Sequence, residues 1–224
     1  MRVDQIAHHN PFLKGFQLLK ALDAQQVAAI EEVLNIGLGR AAVSLSGILG
    51  DEVLLTASNV NMSNLNTGKA LDILKKSGEP NMVSVAQNVS GDLDTLALVL
   101  FSESNAVEIV QRMLSQNADG VLKYEYEVMT EVGNIILNAC VSAFSNMMHL
   151  TLGSSLPVHH IGDCESVTLD NPVHPLKLLI NLDVVIAMRP ISGFITFSFS
   201  TTSLQLLLQA VEQYHESETF EWLD

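Results

Sequence analysis

The stretch IEEVLNIGLGRAAVSLSGILGDEV, residues 30–53, decides the fold, because a related stretch, YEVMTEVGNIILNACVSAFSNMMHL, occupies residues 126–150. A shift of ninety-nine residues lays Glu32-Val33-Leu34-Asn35-Ile36 over Glu131-Val132-Gly133-Asn134-Ile135, and also matches Leu38 with Leu137 and Ser46 with Ser145. A chain built from two copies of one unit shows its period in this way. Downstream, Val89-Ser90-Gly91 with Leu96 to Phe101 resembles Ile191-Ser192-Gly193 with Phe194 to Phe199, at a slightly different offset because loop lengths differ.

Both motif stretches carry helical periodicity. Asp23 is an N-cap for a helix running to about Leu49, with Gly50 as its left-handed stop. The first half then reads as a strand at Val53-Leu54-Leu55, a short helix over Thr67 to Lys76, strands over Met82 to Val89 and Leu93 to Phe101, and a helix from Glu103 to Ser115. The second half repeats this order: a helix from Tyr124 to His149, strands near Glu165 to Leu169, Leu176 to Met188 and Gly193 to Ser200, and a helix from Thr202 to Tyr214. These elements predict an α+β fold with an internal pseudo-twofold, its long motif helices packed on one shared, largely antiparallel sheet. Residues 1–22 read as an N-terminal extension, 23–214 as a single domain of two repeats (about 23–116 and 121–214), and 215–224 as an acidic tail. Asn117-Ala118-Asp119-Gly120 marks the boundary between repeats.

Composition bounds the partners. The 224 residues carry 11 Lys and Arg against 25 Asp and Glu, a formal charge of −14, which disfavours nucleic acid and anionic lipid. Apolar residues make up 48% and charged residues 16%, enough for a sizeable core. Mean hydropathy is +0.29, yet the apolar run Leu96 to Phe101 falls far short of the ~20 residues of a spanning helix. The N-terminus has no apolar secretory stretch, and Cys140 and Cys164 lack paired-motif spacing, so the expectation is a soluble cytoplasmic protein with two reduced thiols.

At about 100° per residue, Val27, Ile30, Leu34, Leu38, Ala41, Leu45 and Ile48 form the apolar face of the first helix. The opposite side aligns Ala28, Glu32, Asn35, Gly39 and Ser46, and in the second copy Glu127, Glu131, Asn134, Asn138 and Ser145. Glu and Asn three positions apart are neighbours on a helix surface. A carboxylate can pair with a partner's Lys, while a carboxamide can hold a water in one direction without titrating. That pairing suits phosphoryl hydrolysis, whose loose transition state asks chiefly for in-line placement of the nucleophile and neutralisation of charge. A single Glu-x-x-Asn is ordinarily a solvated helix face. Two copies at equivalent points of a repeat, with Ile36 and Ile135 at the margin of the stripe, point to a docking surface.

With these residues the sequence resembles the CheC, CheX and FliY phosphatases of bacterial chemotaxis, over Leu22 to Tyr214. The family motif runs Asp or Ser, three residues, Glu, two residues, Asn, and then a downstream Pro. In the first copy Glu32 and Asn35 match, but Ala28 stands at the leading position and Ser58 where Pro is expected. In the second, Glu131 and Asn134 match, Glu127 keeps an acid in the lead, and Pro157 falls at the expected place. Two motif copies look most like the two-site member, CheC, and the second site is the better match. The resemblance implies an aspartyl-phosphate hydrolase acting on a phosphorylated CheY-like response regulator, in chemotaxis or related two-component signalling. Asn134 and Asn35, both taken as exposed, would orient water, and Glu131 and Glu32 would pair with the regulator's active-site Lys. No cofactor of its own is implied, since Mg²⁺ comes with the regulator; CheD is a further partner the resemblance admits. The divergence of the repeats leaves a second reading, a non-catalytic interaction protein binding CheD, a response regulator or a motor component.

Other signals are weaker. His159-His160-Ile161-Gly162-Asp163-Cys164 gathers metal-ligand types but fits no zinc spacing and reads as a polar loop. Gly37-Leu38-Gly39 lies inside a helical pattern, so these glycines allow close approach and do not cradle phosphate. Met147-Met148 continues the apolar face of the second motif helix. No basic residue lies between Lys123 and Lys177, while Glu125, Glu127 and Glu131 crowd the second motif. Such a surface repels a bare phosphate but admits one masked by its own cations.

Overall fold

A computed structural model describes residues 22–64, 81–114, 121–168 and 173–221. Asp23 starts the first helix, α1 (Ala24–Leu49), through a reciprocal cap: its Oδ1 accepts from the Gln26 N–H at 2.8 Å, and Gln26 Oε1 accepts from the Asp23 N–H at 3.2 Å. Gly50, at φ 70°, ends it by donating its N–H to the Ser46 carbonyl. There follow β1 (Val53–Asn64), β2 (Met82–Gly91), β3 (Thr95–Ser102), α2 (Glu103–Met113), α3 (Val121–Met147), β4 (Leu152–Ser154), β5 (Val158–Gly162), α4 (Cys164–Val167), β6 (Leu176–Ile186), β7 (Arg189–Phe199) and α5 (Thr201–Glu221).

The seven strands form one sheet in the order β1-β6-β7-β3-β2-β4, with β5 also paired to β2, and each pairing is antiparallel. This is the predicted α+β architecture. The pseudo-twofold passes between β7 and β3: each repeat supplies a hairpin, β2–β3 or β6–β7, and an edge strand that pairs with the hairpin of the other repeat. Thus β1 pairs with β6, while β4 and β5 pair with β2. The edge strands are exchanged, which ties the two repeats into one sheet.

One face of the sheet carries the main core. It joins Ile30, Val33, Leu34, Leu38 and Leu45 of α1 with Val132, Ile136, Leu137 and Phe144 of α3 and Val83, Val85 and Val99 of the sheet. Burying such a side chain contributes roughly 1.5–3 kcal/mol. The opposite face holds a smaller cluster of Met82, Ala86, Leu98 and Leu100 under Cys164 and Val167 of α4. Strand β3 is therefore buried on both faces, which accounts for its unbroken apolar run. Helix α1 meets α3 at Gly37, where a Cβ would lie 2.7 Å from the Ala139 carbonyl oxygen. Residues 24–49 and 126–147 are long and apolar enough to cross a membrane, but their apolar stripes pack into this core.

Several expectations are corrected. Of the strand placed at Glu165 to Leu169, residues 165–167 belong to the single turn α4, because Asp163 Oδ1 accepts from the Ser166 N–H and caps it; Leu169 lies outside the described residues. His159 and His160 lie on strand β5, not in a loop, opposite Val85 and Ser84. Ile48 belongs to the exposed side of α1 at 52% exposure, the apolar face ending with Leu45 and Leu49. The backbone of α5 stays helical to Glu221, beyond Tyr214 where this helix was expected to end. The short helix over Thr67 to Lys76, the boundary Asn117 to Gly120 and the first 21 residues lie outside the described residues.

Candidate functional site

In the second copy the motif lies on α3, where Gly133 permits contact with the sheet: a Cβ there would meet Val85 Cβ at 2.4 Å. With no side chain at Gly133, the next residue, Asn134, is drawn down to β2. Its Oδ1 accepts from Gln87 Nε2 at 3.1 Å and from Asn138 Nδ2, one turn along, at 2.7 Å. Gln87 Nε2 donates also to the Ser155 carbonyl at 3.1 Å. Among the described residues, Asn134 Nδ2 has no protein partner. Glu131 is exposed one turn before it, as is Glu127 at the leading position.

The first copy is wired differently. Asn35 Nδ2 donates to the Ala57 carbonyl at 3.1 Å, and the Ala57 N–H donates to Asn35 Oδ1 at 2.8 Å. Strand β1 ends the sheet, so these backbone groups point away from β6 and would otherwise be an open edge. Glu31, one turn before Asn35, accepts from the Val60 N–H at 3.3 Å. The two side chains flank a bulge in β1, where pairing with β6 shifts register between Ser58 and Asn61 and Asn59 takes φ 53°. Glu32 is exposed beside them.

Neither carboxamide is exposed as expected: Asn35 and Asn134 are both half-buried and hydrogen-bonded. The bulge in β1 has its counterpart in the break between β4 and β5: Ser58 lies opposite Asn181, while Ser155 donates its N–H to the Asn88 carbonyl and accepts the Asn88 N–H on its Oγ. Pro157 sits in that break, where its missing N–H suits an interruption of the ladder. The repeated serines belong to the frame: Ser46 Oγ accepts from the Val53 N–H, and Ser145 Oγ donates to the Leu150 carbonyl.

Around Glu131 and Asn134 the surface is acidic and apolar. Tyr126 is exposed and stacks edge-on against His159 at 5.0 Å, and Leu156 is 86% exposed. Lys177 is withdrawn from the surface, buried with its Nζ donating to the Thr168 carbonyl at 3.0 Å. Burial and the neighbouring His160 push the His159 pKa down, favouring a neutral ring. Among the described residues no three His, Cys, Asp or Glu side chains converge on a metal position, and His159 and His160 point to opposite faces of the sheet. Cys140 and Cys164 are buried and are not joined in a disulfide.

Gln87 is missed by the sequence reading, which places Asn138 on the polar stripe without giving it a role. The signal for Gln87 is a lone amide in the alternating strand Val83, Val85, Gln87, Val89.

A two-repeat antiparallel sheet with exchanged edges, carrying a Glu-x-x-Asn helix from each repeat on one face, defines a structural class. The chain has the CheC/CheX/FliY fold, which it shares with the middle domain of FliM. FliY from Thermotoga maritima is similar at a TM-score of 0.67 and 18% identity, covering 88% of this chain and 98% of that one. A chain of the FliM–SpeE complex from H. pylori gives 0.61 at 10% identity over 86% and 97%. A chain of the FliG–FliM complex from H. pylori gives 0.60 at 11% over 84% and 100%. No protein-family model matches the sequence.

Proposed function

We propose that this protein accelerates hydrolysis of the aspartyl phosphate of a CheY-like response regulator, in chemotaxis or related two-component signalling, and works in the cytoplasm. Glu131 and Asn134 form the working pair. The observation that supports this reading is the free Nδ2 of Asn134, held half-buried one turn from an exposed carboxylate.

Asn134 Nδ2 donates to the oxygen of a water and holds it in line with the phosphorus. The water oxygen forms the new P–O bond, the bond to the aspartyl carboxylate breaks, and the water's proton leaves with the phosphate or solvent. An amide takes no proton, so catalysis here is placement, worth up to about 7–11 kcal/mol where a near-attack geometry is fully set. Glu131 pairs with the regulator's active-site Lys, and the Mg²⁺ is the regulator's own. A phosphate masked in that way can approach the acidic surface. Glu32 and Asn35 form the same motif, but Ala57 engages one Nδ2 hydrogen and one Oδ1 lone pair of Asn35 and fixes its amide against the edge of β1, so the first site contributes little.

The test is phosphate release from a phosphorylated CheY-like receiver domain, with and without this protein. Acceleration lost in Asn134→Ala supports the reading, and an unchanged rate in that variant rejects it. A second reading, an interaction protein binding CheD, a response regulator or a motor component, is favoured by the tie of Asn35 to Ala57 and by the likeness to chains from FliM complexes. Tight binding of the phosphorylated receiver with no acceleration selects it.

A further inference from the structure

Gln87 is 2% exposed on the α3 face of β2, between Val85 and Val89, and its Oε1 is buried without a partner among the described residues. An unpaired buried acceptor costs about 1–3 kcal/mol, so packing alone would favour an apolar residue here. The other repeat has one. Val83 lies opposite Phe101, just before the Ser102 cap of α2; Leu176 lies opposite Phe199, just before Ser200, whose Oγ accepts from the Ser203 N–H at the start of α5. Four residues onward along each strand stand Gln87 and Ile180, the latter fully buried. The glutamine is thus found beside the asparagine with a free Nδ2. In the repeat whose asparagine is tied to Ala57, the equivalent position holds an isoleucine.

We propose that Gln87 is a positioning residue, which sets the carboxamide of Asn134 with its donor facing outward. This rests on Asn134 as the water-holding group. The orientation follows from one fixed atom. The Ser155 carbonyl can only accept, so the Gln87 atom on it is Nε2. The Asn134 atom facing that nitrogen must then be Oδ1, and Asn138 must donate to it. With both lone-pair directions of Oδ1 used, Nδ2 is left as the outward group. Strand β2, the break after β4 and helix α3 are registered together by this one side chain.

Two variants of the full chain test the proposal. Gln87→Leu keeps the strand face apolar and removes the orienting donor, so its thermal midpoint stays equal or rises. In a ¹⁵N-labelled sample the Asn134 side-chain NH₂, identified by its loss in Asn134→Ala, becomes mobile on the picosecond–nanosecond scale. Phosphate release falls about tenfold or more in kcat with KM unchanged, the signature of lost placement without lost binding. Gln87→Glu, when ionised, can only accept and forces the Asn134 amide to turn over; its rate relative to wild type recovers as acid protonates the new carboxyl group. An Asn134 NH₂ that stays ordered in Gln87→Leu overturns the proposal, as does a full rate in Gln87→Leu where Asn134→Ala is inactive. Should wild type and Asn134→Ala release phosphate equally, the phosphatase reading fails, and the order of the Asn134 NH₂ still decides the role of Gln87.

Discussion

Asn35 and Ala57 close a two-point ring, the carboxamide of one matching the N–H and C=O of the other at 2.8 and 3.1 Å. The side chain does for the edge of β1 what a neighbouring strand would do. Asn35→Ala leaves both backbone groups of Ala57 unpaired and is expected to lower stability by about 1–3 kcal/mol. Asn134→Ala leaves Gln87 still bonded to Ser155 and is expected to cost about 1 kcal/mol or less. Urea denaturation midpoints of the two variants measure the difference, and equal midpoints contradict it.

Gly133 is the point at which α3 sits down on β2. The added methyl of Gly133→Ala meets the stiff Cβ of Val85 at 2.4 Å, so the helix must lift. Overpacking of this kind costs about 1–3 kcal/mol, more than the up to ~1 kcal/mol that Ala gains in helix propensity. Lifting also parts Asn134 from Gln87, so phosphate release should fall even where the variant is fully folded. Val85→Ala in the same background removes only the two outer methyls and keeps the Cβ that makes the nearest contact, so it should restore little of either loss.

His159 makes stability depend on pH. Its pKa is lowered in the folded protein by burial and by His160, so the folded state resists protonation that the unfolded chain accepts at about 6.5. Stability is therefore full above pH 6.5 and declines as pH falls from there toward the lowered value. His159→Phe keeps the ring against Tyr126 and removes the titration. Denaturation midpoints between pH 8 and pH 5 should drop less in this variant than in wild type.

Burial pushes the Cys140 thiol up from 9.0 to about 12, so no thiolate forms there in the native state at neutral pH. Iodoacetamide at pH 8 should leave Cys140 unmodified in folded protein and label it in urea. Because the pKa is raised on folding, this group's contribution is complete below pH 9 and is lost progressively above it.

Much of the fold was legible in the sequence because its signals are local. The Asp23 cap, the Gly50 stop and the apolar stripe from Ile30 to Leu45 each act within a few turns, and each stands where it was read. The strands β4 and β5 were missed because they are short, polar and interrupted at Pro157, although a ninety-nine-residue shift from Val53 lands on Leu152. Their stability comes from pairing with β2, a tertiary effect that the pattern of residues 152–162 does not carry. The motif residues were legible as a repeat, and the difference between the two copies was not. Whether an asparagine is free or tied depends on which strand lies beneath it, and Ala57 and Gln87 are far from Asn35 and Asn134 in the chain.

The central claim is that the two motif asparagines do different jobs, and phosphate release from a phosphorylated CheY-like receiver tests it most directly. Wild type, Asn35→Ala, Asn134→Ala and the double variant are compared per folded molecule. The prediction is full acceleration in Asn35→Ala and none in Asn134→Ala or the double variant. Acceleration retained in Asn134→Ala and lost in Asn35→Ala would contradict it.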